Sequence, residues 1–416
     1  MQAASVIVVS NGRPEALRRC LLGLLQIDHP ACEIIVVADA LSRPAIAASG
    51  LADVIKTVAC DRPNISAARN AGLAVAAGDI VAFIDDDAVP EPTWLSHLTA
   101  PFADAAVQAS GGFVRARNGI TFQWRARLAF GDATTTGIEV DDRQPTLMAA
   151  GPGRAVKTEG TNMAIRRDTL AALGGFDEAF AFYLDETDVN LRLAAQSATT
   201  AIVPLAQVHH GFAPSPRRRA DRVPRDLFEI GASLAVFLRK HGPAVQPTPH
   251  VPRADQRRRL LAHMVAGRLM PGDVGRLLRT FDAGWRDGMT RRLAQHPPLT
   301  EEPVAFLPFP TRVSPHRMIG ARFWQRARAE AQAAQVVADG GVATLLVLSP
   351  TSLFHHCQFT PAGVWDQTGG QFGKSDRTDP PFRLWRAAAR RDREYARIMA
   401  VRVPQGHDLA ISSENN

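Results

Sequence analysis

Cysteine is scarce in this chain of 416 residues, and the four present do not organise into a site. Cys20, Cys32, Cys60 and Cys357 show neither the close spacing of zinc ligands nor a framework of pairs, so buried free thiols in a reducing compartment are expected. Long apolar runs are missing too. The longest, such as Val342 to Leu348, are far too short to cross a bilayer. The opening residues, MQAASVIVVS, have no basic stretch and pass straight into a strand pattern, which argues against a signal peptide. No helix-turn-helix, zinc-finger or RNA-binding signature occurs, so nucleic acid is not an expected partner. Internal repeats and low-complexity tracts are absent as well. With 46% hydrophobic and 21% charged residues, the composition is globular rather than disordered. A soluble, cytoplasmic protein is the expectation.

The length exceeds what one core usually organises, so two domains, or one with a large extension, are expected. Pro-rich punctuation at 243–252 marks a boundary between residues 1–245 and 246–416. Charge divides at the same place. Residues 1–245 hold 24 Lys and Arg against 26 Asp and Glu, and the remainder holds 24 against 15. The Arg-rich C-terminal part suits phosphates, an anionic membrane surface or an acidic glycan, which brings in peripheral contact with the inner membrane face. A solvated surface would look the same.

Strand and helix alternate over the first hundred residues. Ser5 to Val9 is a continuous β-branched run, as in a strand buried on both faces. The turn Ser10-Asn11-Gly12 follows, and Pro14 then sits at the first helical position. Leu17, Cys20, Leu21, Leu24 and Leu25 share a helical face. Further strands are expected at Glu33 to Asp39, Val54 to Val58 and Asp79 to Ile84. The pattern implies an α/β fold, a doubly wound and mostly parallel sheet with helices on both faces. Ligands bind beyond the carboxyl ends of such strands, where Asn11, Asp39 and Asp85 lie. Shorter strands are expected at 108–115 and 201–209, with a helix starting near Asp188. The C-terminal region reads as mainly helical: around 254–294, near 316–337 and at 382–399, with one strand at 342–348.

Asp85, Asp86 and Asp87 close an apolar strand. Two like charges about 4 Å apart repel by roughly 4 kcal/mol at an effective dielectric near 20. A hard divalent cation removes that penalty, and oxygen ligands favour Mg2+ or Mn2+ over zinc. Neighbouring strand residues point to opposite faces, so Asp85 and Asp87 act together and Asp86 faces away. An acidic turn solvated by water is the plainer alternative. A second acidic cluster, Asp185-Glu186-Thr187-Asp188, opens a helix, where carboxylates also suit the dipole.

The segments SVIVVSNGRPEALRRCL, EIIVVADA, NISAARNAGLAVAAGDIVAFIDDDAVP, GTNMAIRRDTLAALGGFDEAF, YLDETDVNLRL and VHHGFAPS follow one another in register. Together they resemble the family 2 glycosyltransferases of the GT-A fold, over about residues 4–245. The resemblance implies a sugar transfer with inversion, from a nucleoside diphosphate sugar such as a UDP-sugar to a glycan or lipid-linked acceptor in polysaccharide or surface glycan synthesis. It assigns Ser10, Asn11, Asp39, Arg69, Asp85 and Asp86 to the donor nucleotide, although the family often has two acids where this chain has Ala38-Asp39-Ala40. It assigns Asp87, Asp85, His210 and His209 to the metal, His210 fitting the spacing better. Gly160, Thr161 and Asn162 fall on the acceptor side. The family places its base in an acidic pair usually ordered Glu-Asp; counting back from Arg192, Glu186 takes the base position, with Asp185 second and Asp188 at the helix start.

Arg217, Arg218 and Arg219, with Arg222 and Arg225, read as a loop closing on the donor diphosphate or as a solvated loop. Leu227, Ile230, Leu234 and Leu238 form a helical face suited to core or to homo-oligomer contact ahead of membrane anchoring. Trp324, Trp365 and Trp385 could stack on sugars or simply pack. Two other functions stay open: a sugar-nucleotide nucleotidyltransferase, for which SNGRPE is a thin phosphate loop, and a non-catalytic nucleotide-sugar binding scaffold.

Overall fold

The computed structural model describes residues 2–211, 213–243, 246–293, 297–299, 304–311 and 315–403, together with the backbone of 410–413. The N-terminal half runs β1 (Ala4–Ser10), α1 (Pro14–Leu24), β2 (Cys32–Ala38), α2 (Pro44–Ala48), β3 (Ile55–Ala59), α3 (Ile65–Leu73), β4 (Ile80–Asp85), β5 (Ala88–Pro90), α4 (Trp94–Thr99) and β6 (Val107–Arg115). Short strands follow: β7 (Phe122–Trp124), β8 (Arg127–Phe130), β9 (Thr135–Gly137), β10 (Thr146–Ala149), β11 (Arg154–Val156) and β12 (Met163–Arg166). Then come α5 (Arg167–Ala172), α6 (Asp185–Ala195), β13 (Thr199–His210) and α7 (Phe228–His241).

The main sheet has the order β10-β13-β6-β12-β4-β1-β2-β3. Its first four strands in sequence pair in parallel, β12 is antiparallel to β4 and β6, and β5 adds to β13. Alternation along the strands divides the core in two. Val6, Val8, Ile34 and Ile80 pack with Leu17 and Leu21 of α1 and Leu95 of α4. Ile7, Ile35, Val81 and Phe83 pack on the other face with Leu73 of α3, Leu170 of α5 and Val189 of α6. Continuous apolar runs are what such a doubly covered strand requires. The α/β reading with helices on both faces therefore holds. The expected strands at 33–39, 54–58 and 79–84 appear within a residue or two of where they were read.

The C-terminal half contains α8 (His250–Val265), α9 (Pro271–Thr290), β14 (His316–Arg322), α10 (Arg326–Ala338), β15 (Val342–Ser349), β16 (His356–Phe359), β17 (Trp365–Gly370), α11 (Ala387–Arg402) and β18 (Ala410–Ser413). Helices α8 and α9 share a core with α7, so apolar packing crosses the sequence boundary, whose residues 244 and 245 lie outside the described ones. Leu227, Leu234 and Ile230 belong to that core and are not available as an anchor. Beyond it, strands β14 to β18 form a second sheet, β16-β17-β15-β14-β18, in which only β16 runs antiparallel. The helix expected near 316–337 is thus a strand followed by a helix. His316-Arg-Met-Ile-Gly-Ala-Arg322 carries arginines at its ends and buries its middle, which reads from sequence as a basic helical stretch. All four cysteines are free, three buried and Cys60 half-buried.

Candidate active site

Strand β4 ends at Asp85 on the carboxyl edge of the sheet, and Asp86 and Asp87 lie in the turn that follows, not in the strand as expected. The three still separate into two directions. Asp85 and Asp87 face the end of β13, where His210 completes a group whose candidate ligand atoms lie within 4.8 Å of one another. His210 Nε2 is 3.3 Å from Asp87 Oδ1. Two carboxylates and an imidazole on a water-facing edge suit a divalent cation with mixed oxygen and nitrogen ligands. Burial works to raise the pKa of Asp87, but His210, Arg13 and the Ala213 N–H together hold it well below the usual range. Asp87 is built to stay charged.

Asp86 turns the other way. It is fully buried, accepts from Ser10 Oγ at 2.7 Å and pairs with Arg13 at 2.5 Å. Burial pushes its pKa up to about 7, against the pull of Arg13. Ser10 and Asp86, read as donor contacts, are therefore spent on each other, while Asn11 is exposed at the turn. Asp39 caps the neighbouring turn, accepting from the backbone N–H of Gly12 and of Ser42, both at 3.0 Å. Burial opposes that charge, and the Ser42 and Gly12 bonds outweigh it, so its pKa is lowered.

Arg69 joins the two acidic clusters. Its guanidinium lies 3.6 Å from Asp85, pairs closely with Asp185, and donates to Gly160 O at 3.0 Å. A Cβ at Gly160 would collide with that guanidinium, so glycine leaves the room Arg69 occupies. Asp185 and Glu186 open α6 where the dipole favours them. Glu186 is the more open of the two and accepts from Lys157 Nζ at 2.6 Å. Burial would raise its pKa, but Lys157 overcomes this and holds it low.

Four expected site residues are placed elsewhere. Asp188 is fully buried and held by Arg192 at 2.8 Å and by Lys240 and His241 at 2.7 Å each, tying α6 to α7. His209 points to the opposite face of β13 from His210 and meets Glu91 at 2.7 Å, so it is no part of the metal group. Asn162 is fully buried, accepting from Trp94 Nε1 and donating to the carbonyls of Phe113 and Ala206. Its amide fastens α4, β6 and β13 together in the core. Thr161 is buried beside it, its Oγ1 lacking a hydrogen-bond partner among the described residues.

Sequence reasoning missed several contributors. Arg13, one quarter exposed, reaches Asp87 at 3.3 Å as well as Asp86. Lys157 was missed because β11 is three residues long and weakly patterned. In the arginine run, only Arg218 approaches the cluster, 4.0 Å from Asp87. Arg217 instead lies over the Phe182 ring at 4.7 Å, and Arg219 pairs with Asp221.

Behind the site lies a buried junction between the two sheets. Glu91, just after β5, receives two bonds from Arg402 at 2.7 and 3.0 Å in addition to His209. Trp365 of β17 packs on the His209 ring, centroids 4.8 Å apart, and donates to Gln26 at 3.0 Å.

Residues 5–174 match the model of Glycosyl transferase family 2. The O-antigen biosynthesis protein RfbC of Myxococcus xanthus is 26% identical over 269 residues, covering 59% of this chain and 20% of that protein. The succinoglycan biosynthesis protein ExoM of Rhizobium meliloti is 29% identical over 168 residues, 39% of this chain and 48% of ExoM. The chain thus spans between a fifth and about half the length of these two relatives. Among solved structures, the mannosyltransferase PcManGT of Pyrobaculum calidifontis, in complex with GDP-Man and Mn2+, gives a TM-score of 0.42 at 17% identity, covering 70% of this chain and 87% of that one. Over residues 5–174 the chain therefore resembles the family 2 glycosyltransferases.

Proposed function

We propose that the chain is a metal-dependent, inverting glycosyltransferase that takes a sugar from a nucleoside diphosphate sugar, a UDP-sugar, to a glycan or lipid-linked acceptor. The names of RfbC and ExoM support polysaccharide or surface glycan synthesis as the setting. The observation that carries the reading is Arg69, one guanidinium between Asp85 of the metal group and Asp185 of the acidic pair. It puts a donor-side acid and the base cluster on the two terminal nitrogens of one guanidinium.

Asp85, Asp87 and His210 would hold Mn2+ or Mg2+, which supplies Lewis-acid stabilisation of diphosphate charge. Arg13 and Arg218, both beside Asp87, add cationic donors for phosphate oxygens. Glu186, kept ionised by Lys157, accepts the proton of the acceptor hydroxyl as that oxygen bonds to the anomeric carbon. The bond from that carbon to the diphosphate breaks at the same time, and the electron pair leaves with the nucleoside diphosphate. Residues 1–245 supply the transfer chemistry in this reading, and 246–416 brace it. The protein works at the cytoplasmic side. Among the described residues no helix is long and apolar enough to cross a membrane.

A panel of nucleoside diphosphate sugars, each with and without Mn2+, tests the reading by thermal shift. One donor should raise the melting temperature only when metal is present. A panel in which no donor and no metal shifts the melt would sink it.

A further inference from the structure

The exposed face at the carboxyl ends of β14, β15 and β17 has no role in the reading above. Three loops meet there. Arg322 at the end of β14 donates to Gln371 Oε1 at 2.6 Å, and Gln371 donates to Trp385 O at 2.6 Å. Phe372 N–H donates to Thr351 O, and Arg383 N–H to Phe372 O, both at 3.0 Å. The loops are therefore one bonded surface, and its apolar side chains are held outward by structured backbone.

Those side chains are unusually open. Phe323, Trp324, Leu353, Phe354, Phe382 and Leu384 are 52–78% exposed. A patch of large apolar side chains gathered on one face calls for a partner. Pro380 and Pro381 precede Phe382 and hold that part of the loop extended. The arginines around it outnumber the acids, which are already paired. Arg377, Arg383 and Arg386 are exposed, and none is paired with a carboxylate among the described residues. The acids of the same loop are already taken, Asp379 by Arg393 and Asp376 by Arg397. Lys374 lies over the Phe354 ring at 5.1 Å and Arg383 over Trp385 at 4.3 Å.

From this face we infer that the C-terminal sheet docks the protein on an anionic lipid bilayer, the aromatic and leucine tips entering the interface and the arginines meeting the headgroups. Charge complementarity selects the occupant: aromatic and aliphatic tips ringed by cations match an acyl boundary under anionic headgroups. A polysaccharide face would instead present flat rings amid polar hydrogen-bonding groups, whereas here Leu353, Leu384, Phe354 and Phe382 protrude. The inference extends the lipid-linked acceptor part of the proposed function, but vesicle binding is read without donor, metal or turnover, so either can fail alone.

The full chain should be sedimented with vesicles of phosphatidylcholine alone and of phosphatidylcholine with about one third phosphatidylglycerol. At least tenfold stronger binding to the anionic vesicles is expected, weakening as salt rises. The triple variant Phe354→Ser, Phe382→Ser, Leu384→Ser should lose binding at least tenfold with an unchanged melting temperature. In a second set, Arg377→Gln, Arg383→Gln, Arg386→Gln should remove the salt-sensitive part. Equal binding to both vesicle types, no binding to either, or full binding by both variant sets overturns the inference. Binding to a soluble anionic polysaccharide with none to vesicles would reassign the face to glycan.

Discussion

At the scale of single residues, the two acidic clusters differ in what holds their charge. Glu186 is part-exposed and kept ionised by Lys157. Glu186→Gln should therefore lower turnover by roughly 10²–10⁴-fold, with the donor-dependent thermal shift intact; near-normal turnover would move the role to Asp185. Asp188, two positions on, does something different. Burial opposes its charge, but His241, Arg192 and Lys240 prevail and hold its pKa below the ordinary aspartate value. A depressed carboxylate contributes stability that is complete above the unfolded pKa of about 3.9 and is lost as pH falls through the folded value. Asp188→Asn should accordingly cost roughly 3–5 kcal/mol near neutrality, since it strands buried cations. That deficit should shrink as the pH falls below about 4. Denaturant melts of both proteins at several pH values check this; a pH-independent deficit would mean that packing, and not charge, is what Asp188 supplies. The acid-rich motifs were legible because unpaired like charges at a strand tip or helix start need an explanation. Their partners were not: Arg13 and Asp87 are 74 positions apart and Lys157 and Glu186 are 29 apart, and nothing local links them.

At the scale of elements, the first four strands could be read from the chain because a strand covered on both faces must be apolar at every position. Strand β13 shows where that reasoning stops. Its pairing with β6 slips between Val203 and Gln207, and a slip of this kind breaks the alternation used to count faces. Hence His209 and His210 were both plausible ligands in sequence, while the structure turns His210 to the aspartates and His209 to Glu91. The α7–α9 pair was equally hidden. Gly231, Gly284 and Gly288 let the two backbones approach so closely that a Cβ on any of them would strike a carbonyl of the other helix. Gly284→Ala should cost about 1–3 kcal/mol by forcing the helices apart, despite alanine's better helix propensity. A denaturation midpoint equal to or above that of the parent would show that the contact yields without strain.

At the scale of the whole molecule, the second sheet is bound to the first through charge buried at their junction. Glu91 and Arg402 are 311 positions apart and each is about 1% exposed, and burial of that carboxylate is outweighed by Arg402 and His209. The junction also sits behind the candidate metal group. Strand β5 begins one residue after Asp87, pairs with His209 and His210, and leads directly to Glu91. Arg402 and Trp365 thereby fix the ribbon that carries two of the three candidate ligands. No pattern in sequence could reveal this, because a buried ion pair across such a distance leaves each partner looking like an ordinary surface charge. Two consequences follow from the coupling. The sheets should unfold together, giving coincident transitions by tryptophan fluorescence and far-ultraviolet circular dichroism. Arg402→Met should lower stability by roughly 3–5 kcal/mol by leaving Glu91 buried and unpaired, and the double variant with Glu91→Gln should recover part of that loss. If the ribbon is held from behind, the single variant should also show a weaker Mn2+-dependent thermal shift than the parent. An Arg402→Met protein that melts early yet responds to Mn2+ like the parent would confine the junction to a structural role and leave the metal group independent of the second sheet.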